Sequence, residues 1–412
     1  MISSNPRVRF LGWRMVAVAF FVDFVAVGFF FYSYGVFFKA IAEEFGGSRL
    51  GVSLGLTITA TVGALAAPLL GNALDRYPLK RIIALGAGFM TMGFIALSFV
   101  RSPLEFYLAI GLFIGFGASA MGGLATAKLV ANWFVRKRGM ALGIAATGIS
   151  ASGVVMPFIS AALIDNYGWR EGFMLYAAFT GLIVLPLVLK LVISRPEDVD
   201  LLPDGQLTEV SGKDFAHIAA AESSTNPILK ERNFWVLVTV VGLLFCCQSA
   251  TLTHMVPRIT DSGTSLQAAS MVMSVCAGLG IFGKLSFGWL SDYWRARHAV
   301  WFTIACQISG QLLMFQTDKM WLFTLGAALF GYGMGGVVPL QGALVGQMFG
   351  RNRFGKAMGR LRPAMFPLQI IGVPLAGWIF DTTGSYDPAF MIFLGLYVLA
   401  AFAALGFRER AR

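Results

Sequence analysis

Apolar residues run along this chain in twelve stretches of about 20 residues, broken by short polar turns. They cover roughly 13–37, 51–74, 82–100, 104–132, 140–164, 170–193, 233–256, 266–291, 298–317, 320–348, 357–380 and 386–407. Each is near the ~20 residues that carry an α-helix across ~30 Å of hydrocarbon, so the pattern predicts an all-α membrane protein of twelve transmembrane helices. One long polar stretch, about 195–231, holds Pro196, Glu197, Asp198, Asp200, Asp204, Lys213 and Asp214. It divides the chain into a six-helix bundle over 1–194, a linker over 195–231, and a second six-helix bundle over 232–412.

The two halves repeat. Gly71-Asn-Ala-Leu-Asp75-Arg76-Tyr-Pro-Leu-Lys80-Arg81 returns as Gly288-Trp-Leu-Ser-Asp292-Tyr-Trp-Arg295-Ala-Arg297. Gly139-Met-Ala141-Leu-Gly143 returns as Gly355-Lys-Ala357-Met-Gly359, Pro157 as Pro374, Asp165…Gly168 as Asp381…Gly384, and Phe173 as Phe390. Every landmark recurs 216 or 217 residues later. Parallel repeats of this kind build membrane folds with a central site between two halves.

Composition and charge fit a bilayer. Hydrophobic residues make up 57% of the chain and charged residues 13%, against about 25% charged in a soluble domain. The four cysteines, Cys246, Cys247, Cys276 and Cys306, fall in apolar runs and read as inert thiols rather than disulfides. With both termini cytoplasmic, 24 of the 32 Lys and Arg residues fall in cytoplasmic segments and six (Lys39, Arg49, Arg101, Arg170, Arg258, Lys319) in outer ones. That bias sets the orientation. It also accounts for the net charge of +11 without a nucleic-acid partner.

Three ionisable residues sit inside the spans, where charge is costly and marks function. Lys284 lies eight residues before Asp292, hence ~12 Å deep, and Asp23 lies ~15 Å into the first span. Similar depths predict that the two meet, since a carboxylate at that depth ionises only beside a cation. Lys128, five residues before Trp133, is expected to snorkel to the inner surface. Arg362 answers to Ala146 in the repeat and reads either as a second cationic site or as another snorkelling residue. Gln248, Tyr332, Gln341 and Gln369 are polar groups on spans 7, 10 and 11 that could orient an anion. Gly71, Asp75, Arg76, Lys80, Arg81, Gly288, Asp292 and Arg295 form the expected gate, with carboxylates and basic groups bridging helix ends.

These motifs resemble the major facilitator superfamily. Gly12-Trp13, Ser33-Tyr34-Gly35-Val36-Phe37-Phe38, Asn132-Trp133-Phe134…Arg138-Gly139-Met140, Gly168-Trp169-Arg170 and Asp381-Thr-Thr-Gly384-Ser385-Tyr386 are similar to the monocarboxylate transporter and oxalate/formate antiporter branch. The resemblance covers about residues 10–408. It implies that Lys284, at a place where these carriers have a carboxylate-binding arginine, is the principal substrate charge. It also implies that His254, in Thr251-Leu-Thr253-His254-Met-Val-Pro257, contacts substrate or a proton. Lysine keeps the charge and loses the planar two-pronged grip.

The expected function is secondary active transport of small organic anions, monocarboxylates foremost, by alternating access, with Asp23 and His254 as candidate proton carriers. Exporters of amphipathic compounds and dicarboxylate exchangers are the alternatives within carriers. A membrane sensor that lost transport is the alternative outside them. No phosphate loop or metal-ligand spacing is present, so the reading is of no enzyme, no metal and no cofactor. The expected partners are a small organic anion, protons and membrane lipid, and the expected form is a monomer in a bacterial inner membrane.

Overall fold

A computed structural model describes residues 10–34, 37, 41, 49–205, 227–261, 263–264, 266–315 and 319–407. Lys39, Lys213, Asp214, His217, the three arginines after residue 407, those before residue 10, and Gly35, Val36 and Phe38 of the first-span motif lie outside the described residues. The described residues are helical, with no strand among them.

Twelve long helices follow the apolar stretches. They are α1 Gly12–Tyr32, α2 Arg49–Arg76, α3 Leu79–Phe99, α4 Pro103–Trp133, α5 Arg138–Tyr167, α6 Trp169–Leu191, α7 Arg232–Asp261, α8 Leu266–Tyr293, α9 Ala296–Phe315, α10 Met320–Phe349, α11 Phe354–Thr383 and α12 Asp387–Ala403. Eleven are long and apolar enough to cross a bilayer. The exception, α9, carries Thr303, Gln307 and Gln311, all turned fully inward. Gln307 accepts hydrogen bonds from Gln248 at 2.9 Å and Tyr397 at 3.0 Å, so α9 reaches lipid only through its apolar side.

The repeat landmarks have structural duties. Gly168 and Gly384 adopt φ of 88° and 70° where α5 and α11 end, a conformation that suits glycine. Side chains with no water to face pack helix on helix through small residues. Within the first half, α1 packs on α5 and α4, and α3 on α4 and α6; within the second, α8 and α9 pack on α10, and α7 on α11 and α12. Between the halves, α2 packs on α11 and α5 on α8.

Among several breaks in helical regularity, three lie beside the residues that shape the centre. α1 widens into a π segment over Gly28–Tyr32. α4 stops at Gly122, whose φ of −87° and ψ of −155° are extended, and restarts at Gly123. α11 contains Pro363, Pro367 and Pro374, each removing one intrahelical hydrogen bond.

Candidate functional site

A cavity of about 860 Å³ lies between the halves, walled by parts of α1, α2, α4, α5, α7, α10 and α11. Among its described lining residues two are charged, Asp23 and Arg362. Asp23 is buried in α1 against the restarted half of α4. Both its oxygens lie within reach of the Thr126 hydroxyl, at 2.9 and 3.0 Å. The break at Gly122 makes that approach possible: a methyl group there would come within 3.0 Å of the Ala26 methyl and 3.7 Å of Asp23 Oδ1. Arg362 enters from the other half, with Nη2 3.0 Å from where a Cβ on Gly123 would stand. It acts electrostatically on Asp23. A carboxylate from one half and a guanidinium from the other therefore share one desolvated wall, where each makes the other tolerable.

Of the residues singled out from sequence, the cavity gathers Asp23, Gln341, Gln369 and Arg362, with Ala146 at the repeat position of Arg362. Arg362 does not snorkel away. Lys284 is placed differently from the expectation. It is buried in the seam between α5 and α8, where its ammonium donates to Ser150 Oγ at 2.6 Å. It is absent from the cavity wall, and among the described residues it has no carboxylate partner. The electrostatic neighbour of Asp23 is Arg362, not Lys284, because depth along two helices fixes height but not rotation.

Gln248, Tyr332 and His254 also stand off the wall. Gln248 is spent on Gln307. Tyr332 packs its ring 5.3 Å from that of Phe287. His254 lies between the Val373 carbonyl, at 3.1 Å, and the Tyr386 hydroxyl, at 3.3 Å. Thr126 and the Gly122–Gly123 break do not stand out by depth or charge; a paired glycine inside an apolar run is their signal in the sequence.

At the end of the bundle rich in basic residues, the two repeats exchange contacts. Asp292, closing α8, accepts from the Gly139 and Met140 amides at 2.6 and 2.9 Å. Asp75, closing α2, accepts from the Gly355 and Lys356 amides at 3.0 and 2.8 Å. Each aspartate thus caps the first turn of a helix in the opposite half, satisfying orphan N–H donors and meeting the positive end of the helix dipole. The glycines let the backbones touch: a methyl on Gly288 would stand 2.6 Å from the Gly139 carbonyl oxygen, and one on Gly355 the same distance from that of Gly71.

Among the described residues, the bridging expected of Arg76, Lys80 and Arg81 is absent. Arg76 and Arg81 are exposed, and Lys80 uses its backbone N–H on Ser194 Oγ. The cation beside Asp75 is Lys128, at 2.8 Å, with both side chains buried. Lys128 also donates to the Arg351 carbonyl across the seam. It does not snorkel, since the carboxylate supplies what water would have given. Arg295, named as a gate residue, is exposed beyond the end of α8.

The profile of the Major Facilitator Superfamily matches residues 19–318 and 287–412. The chain belongs to that superfamily. It is 26% identical over 411 residues to human "Monocarboxylate transporter 11", covering 96% of this chain and 82% of the relative. It is 27% identical over 398 residues to rat "Monocarboxylate transporter 13", covering 96% and 88%. Among solved structures, the proton:xylose symporter XylE superposes with a TM-score of 0.76 at 13% identity over 97% of this chain and 96% of that one. The human organic anion transporter MFSD10 superposes at 0.67 and 16% identity over 97% and 100%. The fold is the superfamily's, and the protein is a multi-pass membrane transporter of small molecules rather than an enzyme.

Proposed function

We propose that this transporter carries small monocarboxylates together with protons, using Arg362 to hold the carboxylate and Asp23 to hold the proton. The observation that carries this reading is the shared wall: one cation and one carboxylate, from opposite halves, in the cavity between them. With Asp23 ionised the pair is neutral. An arriving carboxylate takes the guanidinium in a planar two-pronged grip, and Asp23, left without its counter-charge in a dry wall, takes up a proton. The loaded site then carries no net charge, which is the condition for crossing a low-dielectric barrier at least cost. One cation on the wall favours one carboxylate per substrate over two. The monocarboxylate transporters among the relatives support the same class.

Alternating access follows from the repeat. Residues 1–194 and 232–412 rock as two bodies about the cavity, and the crossed aspartate caps hold the basic end shut in this conformation. By the distribution of Lys and Arg that end faces the cytoplasm, so the state described is shut on the cytoplasmic side. Uptake of labelled monocarboxylates into proteoliposomes, with and without an inward-directed proton gradient, tests the function. Accumulation that needs the gradient, and is lost in Arg362→Gln, is the expected result. Gradient-independent equilibration would remove the coupling, and no uptake of any monocarboxylate would remove the substrate class.

A further inference from the structure

Resting on that reading, we infer that the substrate is a monocarboxylate bearing an aromatic ring, and that Phe366, Phe245 and Phe30 form the subsite for the ring. The size of the cavity comes first. About 860 Å³ falls within the ~300–1,000 Å³ typical of sites for drug-sized ligands, far more room than a two- or three-carbon acid fills.

The arrangement of the wall comes second. Phe366 lies four residues beyond Arg362 on α11, one turn further from the basic end and on the same face. Phe30 lies seven residues beyond Asp23 on α1, two turns further in the same direction, about 10 Å. Phe245 enters the same wall from α7. The charged pair therefore sits towards the closed end, and aromatic side chains from both halves line the wall beyond it.

A carboxylate gripped by Arg362 directs its substituent along that line. A methyl or ethyl group stops short of the rings and leaves apolar wall facing water. A phenyl or indole group two or three bonds from the carboxylate reaches Phe366 and buries its face there. Apolar burial and offset or edge-to-face ring contacts both favour that occupant. Gln369, one turn beyond Phe366 on the same face of α11, is placed to meet a polar atom on the substrate's side chain. With Lys284 turned into the α5–α8 seam, the described lining residues offer no second cation for an acidic side chain.

The test is competition binding on the purified full-length protein in nanodiscs, with propionate and 3-phenylpropionate as probes. 3-Phenylpropionate is expected to bind at least tenfold more tightly than propionate, about 1.4 kcal/mol. That ratio should fall below threefold in Phe366→Ala and in Phe245→Ala, while Phe366→Tyr, which keeps a ring, restores most of it. Equal binding of the two acids by the unaltered protein overturns the inference and leaves the monocarboxylate reading standing. So does a tenfold ratio that persists in both alanine variants. Binding of neither acid overturns both.

Discussion

Asp75 accepts a salt bridge from Lys128 at 2.8 Å while its two oxygens cap Gly355 and Lys356 in the opposite half. One carboxylate thus joins an ion pair inside its own half to a helix cap across the seam. Asp292 makes the matching cap on Gly139 and Met140, but the repeat positions of Lys128, 216 and 217 residues on, hold Leu344 and Val345 in place of a lysine. The two gates are alike in capping and differ in the cation beside the carboxylate: Lys128 of the same half at Asp75, and Arg138 of the opposite half, which acts electrostatically on Asp292.

That difference predicts unequal mutants. Asp292→Asn keeps an acceptor for the α5 amides, removes a charge from the helix end at about 1 kcal/mol, and leaves the neighbouring Arg138 still donating to the Phe134 carbonyl at 3.1 Å. Asp75→Asn also leaves Lys128 buried without its partner, which costs about 3–5 kcal/mol. Asp75→Asn should therefore lower the thermal melting temperature clearly more than Asp292→Asn. Adding Lys128→Met to Asp75→Asn should recover most of the loss. Equal melting temperatures for the two single mutants would contradict the assignment of Lys128 to Asp75.

The glycine contacts belong to the closed basic end alone, so filling them should penalise that state and spare the other. In Gly355→Ala the new methyl stands 2.6 Å from the Gly71 carbonyl oxygen and 2.8 Å from Asp75 Oδ1. Overpacking of this kind costs about 1–3 kcal/mol, enough to shift a two-state population roughly 5- to 150-fold. Spin labels at Tyr77 and Trp294, both exposed at that end in opposite halves, should report a longer distance in Gly355→Ala than in the parent. An unchanged distance distribution would mean that the seam absorbs the methyl without opening.

Much of the fold is written in the sequence, and much of the site is not. Hydropathy marked the spans because a helix in lipid must be apolar along its whole length. The 216–217-residue repeat marked Gly71, Asp75, Gly139, Gly288, Asp292 and Gly355 as one set, because two halves that meet about a pseudo-axis need matched contacts. What it could not give is rotation about each helix axis. Membrane helices apolar all round carry little amphipathic signal, so depth and resemblance favour Lys284 as the central charge and leave Arg362 between a second cationic site and a snorkelling residue. The breaks at Gly122 and the π segment after Val27 turn the local face further, and neither follows from periodicity.

The proton role proposed for Asp23 has its own signature. Asp23→Asn resembles the protonated side chain, keeps a hydrogen-bonding partner for Thr126, and leaves Arg362 free for substrate. It should bind a monocarboxylate as tightly as the parent or more so, and exchange labelled for unlabelled substrate across a proteoliposome membrane. It should not accumulate substrate when a proton gradient is imposed. Retained gradient-driven accumulation would move the proton to another group.

The placement of the two cations gives the sharpest contrast. Arg362 stands on the cavity wall beside Asp23, whereas Lys284 points into the α5–α8 seam and spends its ammonium on Ser150. Arg362→Gln should weaken substrate binding at least tenfold, since a charge-assisted pair is lost from a desolvated site. Arg362→Lys should recover part of it, keeping the charge and losing the two-pronged grip. Lys284→Met replaces a buried ammonium with an apolar chain of similar length at a residue that does not line the cavity. Its substrate affinity should stay within threefold of the parent. Should Lys284→Met lose binding as completely as Arg362→Gln, the lysine must swing from the seam into the cavity when substrate arrives, and the anion site would be a pair of cations instead of one.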